Sequence, residues 1–161
     1  MSTAAEEDPL ADRLAVLLKH ARQGLGELTG PALEPFDIDG RSLAVLTVLA
    51  GPTPLSQQQA AVRLGVDRTT MVALIDALER KGLVMRSPDP GDRRKNVVEL
   101  TASGRRVHAQ AGPASEDAER RFLAPLGDRE AARLKASLRK LIDHHTADHH
   151  TADHHRAQRS T

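Results

Sequence analysis

The chain has 161 residues, the size of one domain or of two small lobes that share a core. Its 23 lysines and arginines nearly balance its 22 aspartates and glutamates, so net charge alone neither indicates nor excludes a nucleic-acid partner. The absence of cysteine excludes a disulfide scaffold, a thiolate zinc site and a cysteine redox sensor. No apolar run approaches the roughly 18 residues of a membrane span, and the acidic first residues lack a hydrophobic signal region, so we expect a cytoplasmic protein with no membrane partner.

The first predicted element is a helix that follows a short disordered lead over residues 1–9. From Leu10 onward, apolar residues recur at gaps of four and three. They form a narrow stripe suited to packing against another helix: Leu14, Leu18, Ala21, Leu25 and Leu28. Pro31 and Pro35 are expected to end this helix. His20 lies beside the stripe and is interpreted as an ordinary surface or packed side chain, with a ligand pocket as the alternative.

Two short helices with clear start signals are predicted in the middle of the chain. They follow an apolar segment over residues 41–49, typical of a short buried helix, and a break over residues 51–54 that is rich in glycine and proline. Ser56 and Gln59 have the spacing of a capping box. Asp67 is the expected N-cap of the next helix, whose apolar face is formed by Met71, Leu74, Ile75 and Leu78.

Two short β-type runs follow, over residues 83–86 and 96–100. The loop between them is rich in turn-forming residues and carries three adjacent basic side chains. Because it is too long for a tight hairpin turn, we expect it to project from the body of the protein.

The remaining predicted elements are helices. Thr101 caps one that is expected to be interrupted near Pro113 and to resume as far as Phe122. Asp128 caps the last one, in which Leu134, Leu138 and Leu141 repeat the narrow apolar spacing. Apolar stripes in the helices at both ends favour a dimer seam, and an intramolecular core is the alternative.

Two capped helices followed by a ribbon with a basic loop describe a winged helix-turn-helix, in a fold that is mainly α with a small β-wing. In such a fold the second helix enters the major groove with its N-terminal residues toward the base edges. With its apolar face buried, the side chains left for DNA are Arg68, Thr69, Thr70 and Ala73. The loop adds a second set, placed for the narrow minor groove: Asp92, Arg93, Arg94 and Lys95.

Local charge agrees with this interpretation. Residues 54–106 contain ten basic and six acidic side chains, a surplus of four. Simpler interpretations stay open for individual residues: a solvated basic loop for residues 93–95, an ordinary surface arginine for Arg68, and a turn-forming role for Asp92.

Three stretches of the sequence resemble the MarR family of bacterial transcription regulators: residues 64–70 (LGVDRTT), 78–84 (LERKGLV) and 92–104 (DRRKNVVELTASG). The last one fits the D-x-R…L-T-x-x-G signature of the family's wing. The resemblance implies a homodimer that pairs through its terminal helices and binds palindromic double-stranded DNA, most often as a repressor that a small-molecule effector releases.

The resemblance also implies roles for individual residues. By position, Arg94 is the arginine of the wing tip and Asp92 its supporting carboxylate. Ser56, Gln57 and Gln58 correspond to the phosphate-facing start of the first helix of the pair. Two features depart from the family: its peroxide sensors use a cysteine, which this chain lacks, and a histidine-rich end is no part of its pattern.

These observations predict three regions. The lead covers residues 1–9, and a histidine-rich flexible tail covers residues 144–161. The MarR-like domain lies between them, over residues 10–143. Within it, we expect the winged helix-turn-helix at about 41–104 and the dimerisation helices at about 10–30 and 102–143.

The tail provides the second functional hypothesis, a metal-binding or metal-buffering protein. Six of the eight histidines lie there, in a repeated His-His-Thr-Ala-Asp pattern whose i, i+4 histidines could chelate zinc, nickel or copper if helical. Threonine and aspartate are poor residues for a helix interior, so we favour a mobile tail with adventitious metal binding. The sequence predicts no cofactor and no enzyme, since it shows no nucleophile setting, paired catalytic carboxylates or phosphate-binding glycine loop.

Overall fold

The computed structural model describes residues 12–89, 91–92 and 96–157, with side chains described as far as residue 144. The described chain is mainly helical, with one pair of strands, and the element order is α1 (Leu14–Leu33), α2 (Gly40–Leu49), α3 (Gln57–Leu64), α4 (Arg68–Arg80), β1 (Val84–Pro88), β2 (Asn96–Leu100), α5 (Ala102–Leu123) and α6 (Gly127–Ala157). Short 3-10 turns follow α1 at Glu34–Phe36 and α5 at Ala124–Leu126. None of the helices in this described part combines the length and apolar character needed to cross a membrane. The predicted fold class, mainly α with a small β-wing, is confirmed.

The two middle helices begin where the sequence predicts. Ser56 and Gln59 form a complete capping box, in which each side chain bonds the other residue's backbone N–H. Asp67 caps α4 by accepting a bond from the Thr70 N–H at 2.9 Å. Gly65 lies between the two helices with φ of 64°, a left-handed conformation that glycine adopts without steric cost.

The two strands form an antiparallel ribbon in which Val84 pairs with Leu100 and Pro88 with Asn96. A third segment supports its base, since the Val98 N–H donates to the Leu55 carbonyl at 2.8 Å. The predicted strands are therefore confirmed, with β1 shifted slightly toward the loop. β1 follows α4 in the chain and packs against it, so the ribbon lies beside this helix.

A single hydrophobic core holds the winged part together. It is assembled mainly from α2, α4 and the two strands, and its largest fully enclosed side chains are Leu33, Val45, Leu46, Met71, Ile75, Leu78, Val84 and Val98. Both ends of the amphipathic pattern in α4 therefore behave as predicted, because Met71 and Leu78 are completely buried. Burying this face fixes which side of α4 remains exposed.

Two predicted helix breaks are wrong. α1 continues through Pro31 to Leu33, and α5 runs without interruption through Pro113. A proline inside a helix removes one backbone hydrogen bond, but packing can offset that loss. In α5, buried Ala111 and Ala118 anchor the helix on both sides of the exposed Pro113.

The last helix, α6, extends as far as Ala157 and so includes most of the predicted tail, whose flexibility stays a prediction. Adding residues to an existing helix avoids the cost of nucleation, and no glycine or proline follows Gly127 before the helix ends. The side chains of residues 145–161 lie outside the described residues. By its contacts the chain divides into a first unit that ends at Phe122 and a second that begins at Leu123.

Candidate nucleic-acid interface

The start of α3 presents the first group of predicted contacts. Ser56 is engaged in the capping box: its N–H donates to Gln59 Oε1 at 2.8 Å, and its hydroxyl accepts from the Gln59 N–H at 3.3 Å. Gln58 is exposed, whereas Gln57 is half-buried and its Oε1 has no partner among the described atoms. Gln58 is therefore the side chain of this group that is freest to reach a phosphate.

The start of α4 presents the second group. Arg68, Thr69 and Ala73 are exposed, and they lie opposite the buried face of the helix. Thr70 differs, because its hydroxyl donates to Asp67 Oδ2 at 2.6 Å and its side chain is half-buried. The Thr70 hydroxyl thus supports the helix cap, and only its remaining lone pairs are available to a base or a phosphate.

Hydrogen bonding also fixes the charge state of this cap. The Thr70 hydroxyl and then the Thr70 N–H lower the pKa of Asp67 below its ordinary value. A carboxylate at the N-terminus of α4 is favourable for the helix but repels phosphate, whereas the neighbouring Arg68 is an exposed positive charge.

The wing carries the third group, of which the structure describes only Asp92. Asp92 is half-buried and is engaged by other groups of the protein. Arg93, Arg94 and Lys95 lie outside the described residues, so their contact with the minor groove stays a prediction. Next to them, the Gly91 N–H donates to Asp89 Oδ1 at 2.8 Å, a local turn that begins the loop.

Two basic residues counted as free charge in the sequence are in fact tied to acidic partners. Arg86 on β1 contacts both Asp76 and Glu79 of α4. Lys81, at the end of α4, pairs with Asp37 at 2.9 Å and also donates to the Asp37 backbone carbonyl. Neither contact was predicted from the sequence. The one signal for them in the sequence is that basic and acidic residues, which attract each other, both occur in this region.

The described residues offer little for the other predicted sites. His20 is exposed on α1. Among the residues whose side chains are described, no group of three or more histidine, aspartate or glutamate residues could hold a metal ion. Most tail histidines lie beyond these residues, so the metal-binding alternative stays a prediction.

Comparison with known proteins agrees with this architecture. A family model described as the MarR family matches residues 36–95. The transcriptional repressor NicR of Pseudomonas putida is 35% identical over 98 residues, which are 61% of this chain and 62% of NicR. The regulator HosA of Escherichia coli O111:H- is 30% identical over 108 residues, 66% of this chain and 79% of HosA. The chain thus spans less than two thirds of NicR.

Among solved structures, the repressor CouR bound to a 23-mer DNA duplex superimposes with a TM-score of 0.79 at 28% identity, over 87% of this chain and 99% of CouR. A second structure, of CouR from Rhodococcus jostii, holds p-coumaroyl-CoA. The matched family model covers α3, α4 and β1, the first strand of the ribbon, and HosA is matched over most of its length. Taken with the wing signature over residues 92–104, these matches establish that this chain belongs to the MarR family.

Proposed function

We propose that this chain is a homodimeric transcription repressor that binds a palindromic double-stranded DNA operator and is released by a small-molecule ligand. The observation that carries the proposal is the exposed polar side of α4 beside the projecting ribbon, in a fold shared with DNA-bound CouR. A transcription repressor must be in the same compartment as the chromosome, and the predicted cytoplasmic location agrees with this requirement.

The exposed side of α4 supports contact with the major groove. Arg68 and Thr69 lie in its first turn, and Ala73 allows the helix backbone to approach the bases closely. The ribbon would then follow the DNA backbone and place the basic residues 93–95 at the minor groove. Gln58 would contact a phosphate at the start of α3.

Exposed apolar side chains support the homodimer. On α1, Leu14 is 62% exposed, and Leu17 and Leu18 are also open to solvent. On α6, Leu141 and Ile142 are exposed, and Ile142 reaches 62%. The exposed apolar side chains on each of these two helices would be buried by a second copy of the chain.

A groove between α1 and α2 supports the proposal that a small-molecule effector binds to this chain. It has a volume of about 710 Å³ and is lined by Arg22 and Leu25 of α1, by Ile38 and by Arg41 of α2. Glu34 and Asp39 line the same groove, so its two guanidinium groups are balanced by two carboxylates. Polar groups of both signs beside apolar side chains suit a small organic molecule with an apolar body. The relative CouR binds such a molecule, p-coumaroyl-CoA.

Selection of binding sites from a random duplex library tests the proposal. We expect the purified chain to enrich an inverted repeat whose half-site centres are about one helical turn apart, roughly 34 Å, because a two-fold protein reads a two-fold site. Enrichment of single half-sites would contradict the dimer, and recovery of no preferred duplex would contradict sequence-specific binding. Adding small organic molecules of different charge to the selected complex then identifies the effector class by release of the DNA.

A further inference from the structure

Arg86 connects the first strand of the ribbon to α4. It lies in the middle of β1, opposite Val98 in the ribbon, and its side chain reaches α4. One terminal nitrogen, Nη2, donates to Asp76 Oδ1, and the other, Nη1, donates to Glu79 Oε2. We call these three residues the Arg86 bridge.

The arrangement differs from an ordinary surface ion pair. Asp76 and Glu79 are three residues apart in a helix and therefore lie on the same side of α4. One planar guanidinium engages both carboxylates, and the Arg86 side chain is only 24% exposed. A lysine could not bond two carboxylates with two rigidly placed donors, so the geometry is specific for arginine.

The bridge joins the two parts of the protein that are proposed to contact DNA. Asp76 and Glu79 belong to the second half of α4, whereas Arg68 and Thr69 lie in its first turn. Arg86 belongs to the strand that leads directly into the wing loop. Fixing β1 against the far half of α4 therefore fixes the strand that leads into the loop relative to the exposed first turn.

The charges support a positioning role over direct contact with DNA. Two carboxylates near a DNA-binding surface repel phosphate, and Arg86 neutralises only one of their two negative charges. Electrostatics alone would favour replacing both carboxylates by amides. Their presence is explained if holding the ribbon against α4 contributes more to DNA binding than their repulsion costs.

We infer that Arg86 is a positioning residue that makes α4 and the wing meet DNA as one rigid unit, through Asp76 and Glu79. The inference rests on the proposed function, because it concerns how the two DNA-contacting parts are aligned. It goes beyond that function in assigning this alignment to three residues that do not themselves read the bases.

The test compares variants on the duplex that the parent protein selects. Arg86→Met removes the guanidinium group but keeps an unbranched apolar stem, and we expect it to weaken binding on the order of tenfold, the equivalent of one lost charge-assisted hydrogen bond. Arg86→Lys should recover part of this loss. The decisive variant is Asp76→Asn with Glu79→Gln, which we also expect to weaken binding although it removes two negative charges.

The direction in which Asp76→Asn with Glu79→Gln changes the affinity for DNA separates the possible roles of Arg86. If Arg86 bound phosphate directly, removing its two acidic neighbours would strengthen binding, and that result would overturn the inference. Arg80→Met is the matched control, because Arg80 is an exposed arginine on the same helix. An equal loss in Arg80→Met would show that long-range charge, and not the bridge, causes the effect.

Hydrogen exchange on the free protein gives a readout that does not depend on DNA. We expect Arg86→Met to speed amide exchange in β1 and β2 while leaving the core helix α2 unchanged. Equal slowing or speeding of exchange in all elements would indicate a general change of stability and would overturn the inference. A parent chain that selects no duplex would contradict the proposed function, whereas a parent and an Arg86→Met variant that bind equally well would contradict the bridge alone.

Discussion

Individual charges in the winged unit differ in what they can offer to DNA. Arg68 is exposed at the start of α4, while Arg86 and Lys81 are held by acidic side chains. The local surplus of positive charge therefore overstates the number of free cations. The side chains expected to add most to binding are those of the wing, where three basic residues follow one another.

Arg94 is the strongest of these predictions. Arg94→Ala should weaken binding to the selected duplex by about 1–3 kcal/mol per subunit, because an arginine in the minor groove meets its electronegative floor. Arg94→Lys should recover only part of the loss, since an ammonium group keeps the charge without the planar fork. Arg120→Ala on α5, which removes the same charge from a pair with Asp117, is the control for net charge. Unchanged affinity in Arg94→Ala would refute the role of the wing.

Asp67 predicts a pH dependence of stability. Its pKa is lowered in the folded chain, so its contribution is complete above its unfolded pKa and is lost as the pH falls through the lower, folded pKa. We expect urea midpoints to decrease on acidification, and Asp67→Asn to show a smaller decrease because asparagine also caps helices but does not titrate. Asp117→Asn, within α5, serves as the control. Identical acid dependence in Asp67→Asn and the parent would contradict this assignment.

The start of α5 lies directly against the start of the ribbon. The Thr101 hydroxyl donates to the Gly82 carbonyl at 2.6 Å and accepts from the Gly104 N–H at 3.0 Å. Gly104 is buried, and a Cβ placed on it would lie 1.9 Å from the Leu83 carbonyl oxygen. This contact gives a physical reason for threonine and glycine at these two positions of the wing signature.

A methyl group at position 104 should therefore separate α5 from the ribbon. We expect Gly104→Ala to lower the free energy of unfolding by about 3 kcal/mol, the upper range for inserting a group into a packed site. Gly112→Ala is the matched control on the same helix, because a Cβ there meets nothing within 4 Å. It should be neutral or stabilise by up to about 1 kcal/mol through helix propensity. Chemical denaturation of both variants decides, and equal stabilities would rule out the steric explanation.

At the level of the assembly, the terminal helices carry the prediction of a homodimer. Leu18 of α1 and Leu141 of α6 are exposed in the single chain, so neither is needed for the core of its own unit. Their apolar surface is free to be buried by a second copy, as the narrow stripes in the sequence indicate.

Leu18→Asp combined with Leu141→Asp should convert the dimer into a folded monomer, because a buried unpaired carboxylate at a seam is strongly unfavourable. Sedimentation velocity measures the state, and circular dichroism checks that the helices persist. Val62→Asp on α3 is the control, since Val62 is 69% exposed but lies in the winged part. A well-folded double variant that still sediments as a dimer would place the seam elsewhere.

Local signals in the sequence were sufficient for most of the fold. The capping box at Ser56, the cap at Asp67 and the apolar face of α4 depend on residues within one or two helical turns, and the structure confirms them. The same reasoning failed at Pro31 and Pro113, because the cost of a proline was judged without the packing that offsets it. The predicted DNA contacts remain predictions, although Arg68, Thr69 and Ala73 are exposed as they require.

Family membership and the winged architecture could be predicted from the sequence, because both are indicated by short motifs and by an apolar periodicity that extend over only a few residues. The Arg86 bridge and the approach of Gly104 to Leu83 could not, because each joins residues of different elements whose distance is set by how those elements pack. The spacing of residues along the chain predicts which of them share a face of one helix. It does not predict which carboxylates Arg86, on a strand, will contact. That choice is made by burial of the common core, which brings β1, α4 and α5 together and leaves these few side chains in contact.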